Sequence, residues 1–382
     1  MTQNRRYIWQ KPSWPKFRWG DAALMKALGR CHFQQGELLA QMRELGFEVR
    51  QQARVEVLIE EALKTSEIEG ERLDPHAVRS SVARRLGLPT AGMPAIRDQH
   101  ADGVVEILLD ATLNFEKELT PERLFGWHAA LFPTGYSGLH KIQIASWRDD
   151  CNGPMRIVSG PIGRERTHYE ALPADQLNSE MSHYLRWWRE SPQDMDGLLR
   201  AAVSHLWFVA IHPFEDGNGR IARTLTEMAL AQDEALATRY YSLSSQIMAD
   251  RKDYYSVLER TNKGDGDLTE WILWFLECMS RAFFRSNELL NNVMQKSRFW
   301  QRHVQTELSE RQRKVINRLL EAGPEGFEGG MTNRKYASMA HVSRATAQRE
   351  LAALVEKGIL RTNPGGGRSV SYSLCWEDFT GY

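Results

Sequence analysis

Twelve consecutive residues, 212–223, have the sequence HPFEDGNGRIAR and constrain the fold more than any other stretch of the chain. Gly217 and Gly219 let the backbone turn tightly, and a helix that starts there points free N–H groups and its positive dipole end at an anion. Arg220 and Arg223 are three residues apart, so they lie on the same face of that helix. The stretch therefore predicts a turn and a helix that together hold a phosphate group.

Two further side chains of this stretch can take part in chemistry. His212 can accept a proton near neutral pH, which makes it a candidate general base. Asp216 precedes the turn, where its carboxylate can hold a divalent cation that bridges phosphate oxygens. Taken singly, a histidine after an apolar run is more often a satisfied core residue, and an arginine pair is usually solvated. Their joint occurrence favours phosphate chemistry.

Composition places few limits on the partners of the chain. Its 382 residues include 49 basic and 49 acidic ones and 42% hydrophobic ones, as in a globular protein of two or three domains. We find neither a signal peptide nor an apolar run long enough to span a membrane, so we expect a cytoplasmic protein without membrane contact. Four cysteines without a CxxC pair indicate reduced thiols.

Helical periodicity dominates the chain and predicts a mainly all-α fold. Residues 7–19 contain three tryptophans and two prolines, which predicts an extended arm whose rings pack on a neighbouring surface or bind a ligand. Proline and glycine within 88–96 mark a domain boundary. The predicted helices cover approximately residues 21–45, 50–64, 74–87, 98–113, 120–131, 174–189, 196–211, 219–231, 244–262 and 268–290.

Two regions depart from the helical pattern. A β-prone run between glycines predicts a hairpin or mobile flap that consists of Met155, Arg156, Ile157, Val158 and Ser159. After residue 308 the pattern predicts three helices, at 309–322, 332–340 and 343–357, and then a β-hairpin over 359–374 around a Pro-Gly-Gly-Gly turn. This order of elements is typical of a winged helix-turn-helix.

The last of these helices carries the side chains expected of a DNA-recognition helix. Arg344, Thr346, Gln348 and Arg349 lie in its N-terminal half, where such a helix meets base edges. Residues 310–372 contain eleven basic and six acidic residues, a modest excess that suits phosphate contacts. Winged helices also serve as protein-docking or dimerisation modules, so DNA binding and homodimer formation both stay open.

The stretch 212–223 resembles the signature HPF-x-(D/E)-GNGR-x-x-R of the Fic (Fido) family, and every fixed position is present. The resemblance extends over approximately residues 98–290, and the arm resembles an N-terminal domain that is often joined to Fic domains. It implies a helical Fic domain with a flap at 96–295. An N-terminal helical domain at 1–95 would precede it, and the winged helix-turn-helix at 305–376 would follow.

Fic proteins mostly transfer AMP from ATP to a Ser, Thr or Tyr hydroxyl of a protein and release pyrophosphate. The resemblance therefore implies ATP as substrate, Mg²⁺ held by Asp216, and another protein or the chain itself as acceptor, aligned on the flap by strand addition. Gly219 stands where a phosphotransferase branch has lysine, which favours AMP transfer over phosphorylation. The implied catalytic residues are His212, Asn218 and Arg220, and the implied nucleotide-binding residues are Gly217, Asn218, Gly219, Arg220, Arg223, Tyr254, Tyr255 and Asn262.

Residues 65–70, TSEIEG, resemble the inhibitory pattern (S/T)-x-x-x-E-(G/N) of the same family. The resemblance implies that Glu69 pairs with Arg223 in the space that the γ-phosphate needs. Together these features predict an autoinhibited protein adenylyltransferase. One alternative is a DNA-binding transcriptional regulator whose Fic core senses nucleotide or transfers another phosphate-containing group. Another is a catalytically idle scaffold, against which the intact signature argues.

Overall fold

The computed structural model describes residues 6–88, 96–160, 164, 166–191, 195–322, 327, 329–364 and 370–375. Helices make up most of these residues, and the strands form small antiparallel sheets, which confirms the predicted fold class. The chain forms two compact units, 1–288 and 289–382. The predicted boundary near residue 95 lies within the first unit and stays a prediction. No helix of the described part is long and apolar enough to cross a membrane.

The helices of the first unit agree with most of the predicted ranges. They are α1 (Asp21–Glu44), α2 (Phe47–Ile68), α3 (Pro75–Arg85), α4 (Gln99–Leu113), α5 (Pro121–Leu131), α6 (Leu177–Glu190), α7 (Gly197–Ile211), α8 (Asn218–Glu234), α9 (Leu243–Ala249), α10 (Arg251–Asn262) and α11 (Thr269–Arg302). The strands are β1 (Tyr136–Ser137), β2 (His140–Lys141), β3 (Arg156–Ser159) and β4 (Arg166–Glu170). β1 pairs with β2, and β3 pairs with β4.

Two predicted helices were wrong in extent. The range 244–262 is divided into α9 and α10 at Asp250, whose carboxylate accepts hydrogen bonds from the side chains of Gln246 and Arg281. Aspartate has a low helix propensity and favours helix ends. α11 continues to Arg302 instead of ending near 290, because the sequence after Thr269 contains neither glycine nor proline up to that point.

The centre of the first unit is the pair α7 and α8. Every residue of α7 from Leu198 to Ile211 is buried, so this helix is surrounded by protein on all faces. α8 packs along it, and its first turn lies directly beyond the end of α7. The loop between two such helices is held at both ends by the core, which suits a site that needs fixed geometry.

The N-terminal arm packs on the surface beside these helices, as the first of its two interpretations predicted. Tyr7 packs edge-on against Tyr169 of β4, and the indole of Trp9 donates a hydrogen bond to the carbonyl of Glu170. The rings of Trp14 and Phe17 both contact Trp207 of α7. The arm therefore supports β4 from one side.

The second unit contains three further helices and a three-stranded sheet. Its elements are α12 (Glu310–Glu321), β5 (Met331–Thr332), α13 (Asn333–Ala340), α14 (Arg344–Glu356), β6 (Leu360–Thr362) and β7 (Ser371–Leu374), with strand order β5-β7-β6. Val315, Tyr336 and Leu351, one from each helix, are completely buried in its core. The predicted β6–β7 hairpin is present, although residues 365–369 of its turn lie outside the described residues.

The contact between α4 and α5 yields a stability prediction. A Cβ added at Gly103 of α4 would overlap the carbonyl oxygen of Ala130 on α5, whereas a Cβ at Gly126 of α5 would meet no atom within 4 Å. We expect Gly103→Ala to destabilise the fold by about 1–3 kcal/mol, because overpacking forces the backbone apart. Gly126→Ala should stabilise it by up to ~1 kcal/mol, since alanine favours a helix interior. Chemical denaturation measures both, and equal stabilities of the two variants would contradict the packing.

Candidate active site

The turn of residues 212–217 joins α7 to α8 through two left-handed residues. His212 follows the last residue of α7 with φ of 53°, and Gly217 precedes α8 with φ of 81°. The side chain of Asn218 closes the turn, because its oxygen accepts from the backbone N–H of Phe214 and its amide donates to the carbonyl of Phe214. Both the oxygen and the nitrogen of the Asn218 side chain therefore stabilise the turn.

Phe214 anchors the turn in the core. It is fully buried, and its ring stacks on that of His128, with 4.2 Å between the centroids and 9° between the planes. His128 also holds the other end of the turn, since its Nε2 lies 3.2 Å from the carbonyl oxygen of Asp216. The N–H of Ala145 points at Nδ1, so Nε2 carries the proton and donates. Burial lowers the pKa of His128 to about 4 and keeps this ring neutral.

A buried arginine from outside the turn holds its first residues. Arg148 donates from Nε to the carbonyl of His212 over 2.8 Å, and its backbone N–H donates to the carbonyl of Pro213 over 2.9 Å. The same guanidinium reaches the carbonyl of Leu172, just after β4. The turn is therefore fixed by one residue that lies more than sixty positions earlier in the chain.

The imidazole of His212 is available as a base. Its Nδ1 lies 3.2 Å from the carbonyl of Val209, and because a carbonyl only accepts, Nδ1 carries the proton and Nε2 keeps a free lone pair. Burial lowers the pKa of His212 to about 4, and the Arg148 charge acts in the same direction. The ring is therefore neutral, and able to accept a proton, at every pH well above that value.

The carboxylate of Asp216 is oriented by its neighbours. The hydroxyl of Ser137 in β1 donates to one of its oxygens, and the backbone N–H of Gly217 donates to the other over 2.6 Å. The N–H of Gly217 is thereby engaged within the turn. A carboxylate has about four acceptor positions, so each oxygen of Asp216 keeps one for a cation.

Both arginines of the signature are buried and paired with carboxylates from the segment that ends α2. Arg223 is 1% exposed, and it donates to Glu69 over 2.7 Å and to the hydroxyl and carbonyl of Thr65. Nη1 of Arg223 has no hydrogen-bond partner within the described residues. Arg220 pairs over 2.7 Å with Glu71, two residues beyond Glu69. A Cβ at Gly219 would overlap the carboxylate of Glu69, so this arrangement needs glycine there.

A cleft of about 860 Å³ is lined by residues of the turn, the end of α2, the flap and α10. His212, Asp216 and Glu69 lie on one side, and the flap residues 155–159 lie on another. In the described residues β3 pairs only with β4, so one edge of β3 remains open. His168 of β4 links the flap to α10, because its two ring nitrogens contact the hydroxyl of Ser159 and the carboxylate of Glu259.

Three of the residues implied to bind the nucleotide, Tyr254, Tyr255 and Asn262, lie on α10 and line this cleft. Their side chains differ in exposure and in hydrogen-bond partners. Asn262 is buried, and its side-chain oxygen has no partner within the described part of the chain, so it is available to a ligand. Tyr254 is buried too, but its hydroxyl is engaged with the ring of His205. Tyr255 is 40% exposed and donates to the carbonyl of Ile68, which ties it to the end of α2.

The residues predicted to contact DNA lie on α14 in the second unit and face solvent. Arg344, Gln348 and Arg349 are exposed and Thr346 is half-buried, while Ala347 and Leu351 of the same helix are buried in the core of this unit. The exposed side chains of Arg344, Gln348 and Arg349 thus lie outside the packed face of α14.

Sequence reasoning did not identify His128, Ser137, Arg148 or Glu71 as functional. The first three act on the turn from other elements through backbone carbonyls or a carboxylate, so no local pattern marks them. Glu71 had a weak signal, since it is a second carboxylate close to the inhibitory pattern in a chain that offers two arginines.

Two segments of the chain match known protein families. Residues 118–230 match the Fic/DOC family, and residues 7–88 match a family described as Domain of unknown function (DUF4172). The chain is 33% identical over 118 residues to Protein adenylyltransferase Fic of Nematostella vectensis, and 34% identical over 114 residues to Protein adenylyltransferase fic-1 of Caenorhabditis elegans. Each match covers 30% of this chain and only 25% or 20% of those relatives.

Solved structures extend the likeness of the fold beyond the matched segment. A Fic family protein from Desulfovibrio desulfuricans G20 superposes with a TM-score of 0.53 at 19% identity, over 93% of this chain and 96% of that chain. A Fic domain containing signaling protein from Bacteroides thetaiotaomicron has a TM-score of 0.51 at 16% identity, over 70% of this chain and 96% of that chain. The turn, its buried supports and the family match coincide within 118–230, so this chain carries a Fic/DOC domain.

Proposed function

We propose that the chain is a protein adenylyltransferase that moves AMP from ATP to a hydroxyl of a protein and releases pyrophosphate. The observation that carries the proposal is that His212, Asp216 and Glu69, the partner of the buried Arg223, line one cleft beside an open strand edge. The names of the relatives from Nematostella vectensis and Caenorhabditis elegans support the same activity. Glu69 and Glu71 supply the autoinhibition that the proposal includes.

The chemistry follows from the charges of the site. The acceptor oxygen attacks the α-phosphorus, the bond from that phosphorus to the bridging oxygen of the β-phosphate breaks, and Nε2 of His212 takes the hydroxyl proton. Such a base contributes about 10²–10⁴-fold to the rate. Arg220 and Arg223 neutralise the charge on the leaving pyrophosphate, which is the larger task in phosphoryl-type transfer.

Asp216 fits a Mg²⁺ site of the kind that is shared with a nucleotide. Mg²⁺ is usually bound through one or two carboxylates, with substrate phosphates and water completing its six ligands. The carboxylate of Asp216 is fixed in orientation by Ser137 and still has free acceptor positions on the cleft side. When bound, the cation would neutralise phosphate charge, and Asp216 would hold it beside the turn.

The flap provides the place for a protein acceptor. The open edge of β3 presents unpaired backbone groups, and an extended segment of another protein can add to such an edge. The arm contacts the other strand of the hairpin at its end, through Trp9 and Tyr7. The acceptor segment therefore joins on the side of β3, with its hydroxyl directed into the cleft.

In the proposed resting state, Glu69 and Glu71 occupy the arginines that the phosphates need. Arg220 and Arg223 are 5% and 1% exposed, whereas the side chains of Glu71 and Glu69 are 32% and 31% exposed, so each pair lies at the edge of the core. A carboxylate and a γ-phosphate cannot occupy the same side of Arg223 at once. ATP that binds while Glu69 is in place would therefore hold its α-phosphate out of line with the acceptor.

Removal of the inhibitory carboxylate should activate the protein. We expect Glu69→Gly to raise automodification in the presence of ATP and Mg²⁺, because Arg223 is released for the phosphates. Glu69→Gly with Glu71→Gln should raise it further, since Arg220 is released as well. Intact-mass spectrometry measures the gain of one AMP unit, and peptide mapping locates it.

The control for this experiment is His212→Ala in the wild-type and Glu69→Gly backgrounds. It should abolish transfer in both and leave ATP binding in place, because Nε2 acts on the acceptor and not on the nucleotide. An unchanged level of automodification in Glu69→Gly with intact ATP binding would contradict autoinhibition. Transfer that persists without His212 would contradict its role as the base.

The pKa of His212 predicts the pH dependence of transfer. Because burial lowers this pKa to about 4, the proton-accepting form predominates above that pH and is lost only as the pH falls through it. We expect the transfer rate of Glu69→Gly at saturating ATP to stay level between about pH 5.5 and 7.5, since the pKa lies below that range. An acid limb with its midpoint near 6.5, the ordinary histidine value, would contradict a base that stays neutral in this range.

A second candidate function is DNA binding, and the exposed side chains of Arg344, Gln348 and Arg349 on α14 favour it. We expect the chain to shift duplex DNA fragments in a gel assay at low salt, and the affinity to fall as salt rises because phosphate contacts release counterions. The double variant Arg344→Ala, Arg349→Ala should bind more weakly, while Arg30→Ala, an exposed arginine on α1, should bind as the wild type does. The absence of any shift, or equal binding by both variants, would favour protein docking by this unit.

A further inference from the structure

We propose that Arg148 is a positioning residue that sets the spacing between His212 and the acceptor segment on the flap. The inference rests on the proposed transfer reaction and goes beyond it. Neither the Fic signature nor the inhibitory pattern includes this residue, which lies between β2 and β3.

The first argument is the set of partners that Arg148 reaches. It is 3% exposed, and its guanidinium donates to the carbonyl of His212 over 2.8 Å, to the carbonyl of Leu172 over 2.6 Å and to the carboxylate of Asp150 over 2.9 Å. Its own N–H binds the carbonyl of Pro213 over 2.9 Å. Three of these four acceptors are backbone carbonyls, so the residue fixes the course of the chain more than it neutralises a charge.

The second argument is where those carbonyls lie. His212 and Pro213 begin the catalytic turn, whereas Leu172 follows the end of β4 at Glu170 by two residues. β4 in turn is the partner of β3, the strand with the open edge. The planar, rigid guanidinium thus links the backbone of His212 to the segment that follows the flap strand β4.

The third argument is the strain at His212. Its left-handed conformation, with φ of 53°, is unfavourable for a residue with a Cβ and persists only where the surroundings hold it. The bond from Nε of Arg148 to the His212 carbonyl is such a constraint. Without it the segment after His212 is held from residue 148 only through the carbonyl of Pro213, so the imidazole can shift away from the acceptor. A misplacement of about 1 Å costs on the order of 10²-fold in rate.

The chain offers a matched control in Arg123 of α5. Its guanidinium also combines one carboxylate, that of Asp110, with backbone carbonyls, including those of Lys117 and Asn114. Its side chain is only 12% exposed. These partners lie on α4 and the α4–α5 connection, so they support the fold without contact to the turn or the flap.

The test compares Arg148→Lys with Arg123→Lys, each in the Glu69→Gly background of the full chain. Lysine keeps the charge, but a single ammonium cannot reproduce the fork. We expect Arg148→Lys to lower kcat for AMP transfer by about 10- to 100-fold, because the base is misplaced, and to leave the Kd for ATP within about twofold. Arg123→Lys should lower Tm and leave kcat within about twofold of the parent, since its partners lie away from the site.

Hydrogen–deuterium exchange of peptides that cover residues 208–218 supplies a readout independent of transfer. Exchange there should be faster in Arg148→Lys than in Arg123→Lys. If exchange is faster in Arg148→Lys but the Glu69→Gly parent transfers no AMP, the proposed function is refuted and the positioning role stays intact. The inference is overturned if exchange is unchanged, if kcat stays within about twofold in Arg148→Lys, or if both variants lose kcat equally. Should Arg148→Lys fail to fold, Asp150→Ala, which loosens the guanidinium without removing it, is measured by the same two readouts.

Discussion

A buried positive charge at Arg223 is the constraint on which the rest of the site depends. Its guanidinium lies in the core at the start of α8, where an uncompensated charge would cost several kcal/mol. Glu69 and Thr65 satisfy it in the structure, and the phosphates of a nucleotide would satisfy it in their absence. One arginine therefore couples the two proposed states, because each of its partners excludes the other. Removal of Glu69 leaves the Arg223 charge unpaired, at a free-energy penalty of about 3–5 kcal/mol, which a bound phosphate can offset.

The parts of the site that could be predicted from the sequence are those that one short stretch determines. His212, Asp216 and the two arginines are within twelve residues, so the turn between α7 and α8 brings them together in any fold that forms it. The pairing of Glu69 with Arg223 over 154 positions came only from the family resemblance. Arg148, His128 and Ser137 could not be predicted, because each acts through tertiary contacts with a backbone atom or one carboxylate. The residues next to them in the sequence do not indicate that they support the turn.

The fold shows the same division between local and tertiary causes. Helices such as α4 and α5 were predicted to within one residue at both ends, because Asp98 and Thr120 cap them with side-chain hydrogen bonds to the first turn. The aspartate at the division, Asp250, is paired with Arg281 of α11, which is distant in sequence. Periodicity alone does not distinguish one continuous helix from two that share an amphipathic face.

The way α2 is held limits how the proposed inhibition can be relieved. Glu61, two turns before Glu69, is buried and accepts hydrogen bonds from the hydroxyl of Ser242 and the N–H of Ser244 at the start of α9. Lifting the whole helix would expose these groups and its apolar face, at a cost comparable with the stability of a domain. The carboxylate of Glu69 is 31% exposed at the very end of the helix, beside Gly70 with φ of 89°. A rotation of this side chain, or fraying of the last turn, frees Arg223 while the bonds of Glu61 stay intact, so relief by local movement needs far less free energy than release of α2.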